Sequence, residues 1–218
     1  MIQYHKSLPV CILPKEEHKI DLDYELLCSV IEALEPTILA TYPKTETAYK
    51  SVDDHNIKET NDELITRWHK YNLLNIHHPV LYPVFLIIMK GIKQFKPFIK
   101  RTTTDPLYLQ SWATLTRKNS RIYPHSHDFK WIGHLAVRAE PSTTHLKWLN
   151  SENEEIHADI ENKNGQLILT QNVNHMSSIW LEDESRITIP FDIVDDDIWH
   201  KQEHMDKIKP PIFPIYLE

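Results

Sequence analysis

Glycine is almost missing from this chain: 218 residues contain three, Gly91, Gly133 and Gly165, set far apart. Loops that cradle phosphate need clustered glycines, because only glycine lets the backbone turn tightly and come close to the anion. Walker-type and dinucleotide-type sites, and with them the ATP and NAD enzymes of those classes, are excluded. Cysteine is equally scarce. Cys11 and Cys28 lack the paired spacing of a zinc knuckle or redox motif and read as two reduced, buried thiols. No basic stripe exists either, since the net charge of −7 is spread over mixed-sign segments, which disfavours nucleic acid as a main partner. The longest apolar run, Val80 to Met89, holds Tyr82 and Pro83 and ends at Lys90. It falls well short of the roughly 20 residues of a membrane span and reads as a core helix. Residues Met1 to Lys6 do not open an apolar leader, so the expected location is cytoplasmic. No Ser-His-Asp or Cys-His arrangement stands at recognisable spacing.

What the chain does have is 41% hydrophobic residues, enough for a proper core, and 14 histidines, a high number for a soluble domain. One domain over residues 1–218 is expected. Its first part, 1–100, reads as mainly helical. Val10 to Leu13 is a strand or extended arm between prolines, and Leu22, Leu26, Leu27, Val30, Ile31 and Leu34 mark an amphipathic helix over Asp21 to Leu34. Glu35 to Asn61 is polar and aperiodic and is expected as a surface excursion. Two more helices are expected, from Asn61 or Asp62 to Tyr71 and from Pro79 to Phe95.

After Pro97 the helical period gives way to short β-rich runs: Leu107 to Thr116, Trp131 to Val137, His145 to Leu149, Gly165 to Thr170, Ser177 to Leu181 and Arg186 to Ile193. Short strands separated by polar turns predict a jelly-roll barrel over 101–200, followed by an extended tail over 201–218. The fold class is thus α+β, a helical N-terminal half packed on a C-terminal double-stranded β-helix. No internal repeat appears.

The chemistry concentrates in Tyr123-Pro124-His125-Ser126-His127-Asp128. On a strand, His125 and His127 point to one face, and on a barrel strand that face can be the interior. His175 follows the Gly165 to Thr170 strand, and Arg186 opens the last apolar strand. Two close ligands, one distant histidine and then a basic residue is the order that a non-haem iron site needs. Three ligands on one face of an octahedral iron leave positions for a bidentate keto acid and for oxygen. Arg186 can clamp the distal carboxylate through its planar fork, and Thr188, facing the same way, can add a hydroxyl.

The stretches Trp112 through Arg121 to Val137, Gly165 to Leu169, His175, and Arg186-Ile187-Thr188-Ile189-Pro190-Phe191-Asp192-Ile193 resemble the Fe(II)/2-oxoglutarate oxygenases. They look closest to a little-characterised branch met in bacterial and phage genomes. The resemblance spans residues 107–194; the N-terminal half carries none. It implies iron ligation by His125 and His175 and 2-oxoglutarate binding by Arg186 with help from Thr188. Most such oxygenases have a carboxylate two residues after the first histidine, where this chain has His127, with Asp128 one step on. His127 as third ligand and Asp128 as ligand on a bulged strand, or as a partner fixing a histidine ring, both stay open.

The activity so implied is oxidative decarboxylation of 2-oxoglutarate to succinate and carbon dioxide, with molecular oxygen as co-substrate. Hydroxylation of an unidentified small molecule or peptide is the default outcome. Two other readings remain: a cupin-like metal enzyme that uses no keto acid, and a jelly-roll binding module without catalysis. Elsewhere His5, His77 and His78 read as solvated, and His134 and His145 as core or cavity wall. Trp112, Trp131, Trp148 and Trp180 read as barrel core, and Asp195-Asp196-Asp197 as a solvated turn.

Overall fold

The computed structural model describes residues 2–5, 8–43, 64–68, 70–99, 107–127, 129–195 and 213–216. Strands β1 (Ile2–His5) and β2 (Leu8–Leu13) open the chain, followed by helices α1 (Lys15–His18), α2 (Tyr24–Thr41) and α3 (Leu81–Phe95). Nine strands follow: β3 (Leu107–Ser111), β4 (Thr114–Thr116), β5 (Trp131–Arg138), β6 (Ser142–Leu149), β7 (Glu155–Asn162), β8 (Leu167–Gln171), β9 (Asn174–Ser177), β10 (Arg186–Asp195) and β11 (Phe213–Ile215). The strands form two antiparallel sheets. The larger has the order β1-β2-β8-β5-β10-β3-β11, with β4 also paired to β10, and the smaller has the order β7-β6-β9. From β5 onward the chain crosses between the sheets and back, giving a jelly-roll-like arrangement.

The two-residue period of a strand separates two interiors. On β10 the odd positions Ile187, Ile189, Phe191 and Ile193 belong to the main apolar core, while Arg186, Thr188 and Pro190 line a cavity between the sheets. β5 and β8 divide likewise, with Leu135 and Leu169 in the core and His134 and Ile168 in the cavity wall. The core side is covered by Leu27 and Ile31 of α2 and by Val84, Ile87, Ile88 and Ile92 of α3. At 25 cal/mol per Å² of apolar area this burial is the main favourable term in holding the helices. Between the sheets, Leu8, Val10 and Ile12 meet Leu146 and Ile160 in a second, smaller cluster.

Several expectations need correction. The N-terminal part is not simply helical, because β1 and β2 extend the larger sheet through pairing of β2 with β8. Helix α2 continues past Leu34 and through Pro36, since Ile38 and Leu39 prolong its apolar stripe onto the core. Among the described residues between Leu64 and Tyr71 the only regular structure is a 3-10 turn at Ile65–Arg67, and 61–63 and 69 lie outside the described residues. The strand expected at Ser177 to Leu181 is displaced to Asn174–Ser177, where pairing with β6 fixes it. Edge strand β7 was hidden by its polarity: Glu155, His157, Asp159 and Glu161 occupy its outer positions. Asp195 closes β10 as a buried residue 3.7 Å from Lys130 rather than starting a solvated turn, while Asp196, Asp197 and most of the expected tail fall outside the described residues.

Gly133 faces Phe191 across the β5–β10 ladder, and a Cβ there would lie 2.4 Å from the Phe191 ring and 2.6 Å from the Ile168 carbonyl oxygen. Gly91 on α3 would meet only a terminal methyl of Leu167, at 2.5 Å. Gly133→Ala is therefore expected to cost about 1–3 kcal/mol in denaturant unfolding, since a ring and a backbone oxygen must both shift. Gly91→Ala should stay within about 1 kcal/mol, because better helix propensity offsets the displaced methyl. The reverse order would contradict this account of sheet packing.

Candidate metal centre

His125 and His175 exchange two backbone hydrogen bonds, 3.0 Å from His125 N–H to His175 O and 2.9 Å in return. This directly opposed pair sets the two rings side by side, with centroids 4.2 Å apart. His127, two residues on and facing the same way, brings its ring to 5.2 Å from that of His125 and 5.0 Å from that of His175. The metal-ligating atoms of the three lie within 4.8 Å of one another. Asn172 holds the His127 segment in place by accepting the His127 N–H at 3.0 Å and donating its own amide to the His127 carbonyl.

Each ring is oriented through Nδ1. That of His125 lies 2.8 Å from the Tyr123 carbonyl oxygen, that of His175 3.0 Å from the Val173 carbonyl oxygen, and that of His127 2.5 Å from Asp192 Oδ1. A neutral ring that donates from Nδ1 carries its lone pair on Nε2, the form a metal takes. Burial, with the neighbouring His127 adding to it, pushes His125 down to about 3, and burial holds His175 well below the usual imidazole range. Both are thus neutral and ready to ligate at physiological pH. The donor set of three imidazoles on one side of an open cavity fits a first-row divalent metal.

Arg186 and Thr188 open onto the same cavity, which encloses about 620 Å³ including its solvent-facing part. Arg186 is 2% exposed and donates from Nε to Ser142 Oγ at 3.0 Å. Thr188 Oγ1 and Thr114 Oγ1 share a hydrogen bond of 2.6 Å. The Arg186 anchor extends further, because Asn162 donates to Ser142 Oγ at 3.0 Å and its Oδ1 accepts from Thr144 Oγ1 at 3.0 Å and from His134 Nε2 at 3.1 Å. His134 stands on the cavity wall, pushed down to about 4 by burial and then by the charge of Arg186.

The structure therefore brings His125, His127, His175, Arg186 and Thr188 around one cavity. Asp128, the alternative to His127, lies outside the described residues. His145 turns away, pairing with Asp159 at 2.7 Å on the outer side of the smaller sheet. Asp192, Asn172 and the Ser142–Asn162 anchor were not anticipated. Only Asp192 left a signal: it continues the phase of Arg186, Thr188 and Pro190.

No protein-family model matches the chain, and no curated protein matches it. Among solved structures, the non-haem α-ketoglutarate-dependent carbocyclase SnoK of nogalamycin biosynthesis superposes with a TM-score of 0.55 at 12% identity, over 99% of this chain and 92% of that one. The two share a fold. An oxidoreductase of the 2OG-Fe(II) oxygenase family from Burkholderia pseudomallei matches over 55% of this chain and 60% of its own, at 11% identity and a TM-score of 0.41. The α-ketoglutarate-dependent epimerase SnoN matches over 50% and 54%, at 14% identity and a TM-score of 0.38. These two cover about half of this chain, and the likeness to SnoK, at 12% identity, is a likeness of fold.

His134 makes stability depend on pH in a defined direction. Its unfolded value is near 6.5 and its folded value about 4, so below 6.5 the unfolded chain binds a proton that the fold refuses. Its contribution is fully present above 6.5 and is lost as pH falls toward 4. His134→Gln should flatten the metal-free stability profile in that window by up to about 1.4 kcal/mol per pH unit, read from denaturant unfolding. An unchanged slope would show that His134 is not held neutral.

Proposed function

We propose that the chain is an Fe(II)- and 2-oxoglutarate-dependent oxygenase in which His125, His127 and His175 hold the metal and Arg186, with Thr188, holds the distal carboxylate of the keto acid. The observation that carries this reading is the convergence of three Nδ1-anchored imidazoles, two of them held neutral by burial, on a cavity that also contains a buried arginine. The fold shared with SnoK supports it, and the crossing of strands between the two sheets is read as a double-stranded β-helix.

Each residue has a definite task in this reading. The Nδ1 hydrogen bonds keep the rings turned so that no reorganisation is needed when the metal arrives. Asp192 fixes the orientation of the His127 ring and adds to the site a carboxylate that three histidines lack. Arg186 presents a fork held by Ser142, and a carboxylate can pair with it out of water. Ile132, Leu146, Ile168 and Met176 line the same cavity and keep bulk water from the reacting centre. When bound, iron and 2-oxoglutarate supply an oxygen-driven decarboxylation whose oxidising power is directed at a C–H bond of the substrate, with hydroxylation as the proposed outcome.

Anaerobic addition of Fe(II) and 2-oxoglutarate should produce the visible charge-transfer band of the chelate, and its absence from correctly folded, metal-loaded protein would sink the proposal. Arg186→Lys should weaken 2-oxoglutarate by about tenfold or more while leaving metal content near normal, because lysine lacks the bidentate fork. His127→Asp should keep iron and part of the 2-oxoglutarate turnover, whereas His127→Ala should lose most of both. If His127→Ala retains iron and Asp128→Ala abolishes it, Asp128 is the third ligand.

A further inference from the structure

The inward positions of β10 order the cavity along its length. Arg186, Thr188, Pro190 and Asp192 succeed one another at about 6.6 Å between Cα atoms, with Arg186 at one end of the row and Asp192, bonded to His127, at the other. Resting on the proposed function, the arginine end belongs to the keto acid. The other end is built differently. Trp112 hangs its backbone N–H on the Pro190 carbonyl at 3.2 Å and tilts its indole against His127, with ring centroids 5.6 Å apart. Trp68 backs this wall, 5.4 Å from the Trp112 ring and 6.4 Å from that of His127. Ile65 and Ile122 join Trp112 in lining the cavity.

Two properties of this end describe what it binds. Among the described lining residues, Arg186 carries the only permanent charge, and the Asp192 carboxylate behind them is taken up by His127, so a charged substrate group placed beside Trp112 would lose its water for little compensation. Trp112 is 3% exposed, and its indole N–H is buried without an acceptor among the described residues. A buried donor left in this state costs free energy that an acceptor on a ligand would recover. Flat aromatic walls favour flat apolar partners, which stack or tilt against them.

We propose that the primary substrate is a neutral, ring-containing small molecule whose apolar face lies on Trp112 and whose carbonyl or hydroxyl oxygen accepts the Trp112 indole N–H. Trp112 is then a substrate-binding residue rather than mere barrel core. Charged amino acids, nucleotides and acidic peptides are disfavoured for this end of the cavity.

Three probes of one shape separate the contributions: 2-acetylnaphthalene has ring and acceptor, naphthalene has the ring alone, and 2-naphthoate adds a charge. They are titrated calorimetrically into the anaerobic Fe(II)·2-oxoglutarate protein, with the chelate band recorded in parallel. 2-Acetylnaphthalene should bind about three- to tenfold more tightly than naphthalene, and 2-naphthoate more weakly than either. Trp112→Phe, which keeps a ring and removes the donor, should erase the preference for 2-acetylnaphthalene over naphthalene. Trp112→Ala should weaken both neutral probes by about tenfold or more. The chelate band of each variant is recorded alongside, so that a loss of metal or 2-oxoglutarate is told apart from a loss of ring binding. If 2-naphthoate binds best, or if Trp112→Phe leaves the preference intact, the substrate proposal is wrong while the oxygenase reading stands. If no chelate band forms in the parent protein, the oxygenase reading is wrong, and the same three titrations on the protein alone decide whether the aromatic end still selects a neutral ring.

Discussion

Strand β10 is where the chain's two kinds of interior are divided. Its odd residues, Ile187, Ile189, Phe191 and Ile193, face the helices and are fully withdrawn from water. Its even residues face the space between the sheets and include an arginine, a threonine and an aspartate. A strand places successive side chains on opposite faces, so one ladder can seal a hydrophobic core and furnish a polar site without conflict. The same constraint makes register costly to change, since a slip of one residue would drive Arg186 and Asp192 into the helical core and expose four apolar side chains to the cavity.

The candidate metal centre depends on this division because it straddles both sheets. His175 belongs to β9 of the smaller sheet and is bridged to His125, while His127 is tied through Nδ1 to Asp192 of the larger one. A metal held by the three would therefore clamp the sheets together, and its binding free energy would add to the stability of the fold. The arginine end is also a joint between sheets: Arg186 of β10 is held by Ser142 of β6, which in turn is held by Asn162 of β7. Polar networks of this kind are tolerated in an interior when their members are satisfied, and here each link is 3.0 Å long.

Legibility in the sequence followed the range of the interactions. The helix over 81–95 and the strands carrying Trp131, Leu167 and Arg186 stood out because strong local periodicity and burial agree there. Strand β7 did not, because an edge strand with one solvated face needs few apolar residues, and its charges read as loop. The continuation of α2 through Pro36 was masked by a residue that usually ends a helix, against which the burial of Ile38 prevailed. Joining of β1 and β2 to the larger sheet could not be read locally at all, since β2 pairs with a strand more than a hundred residues away.

For the site, the sequence by itself determined which residues share a face: the spacing of His125 and His127, and the phase linking Arg186 to Thr188, follow from strand geometry alone. It also determined that the chain has neither a clustered-glycine phosphate loop nor a paired-cysteine motif. Only the tertiary structure decided that His175 pairs with His125, that Asp192 orients His127, and that Trp112 presents a buried indole N–H beside the same cavity. The first two are contacts between residues 50 and 65 positions apart, set by which strands become neighbours, and no local period in a sequence encodes that choice.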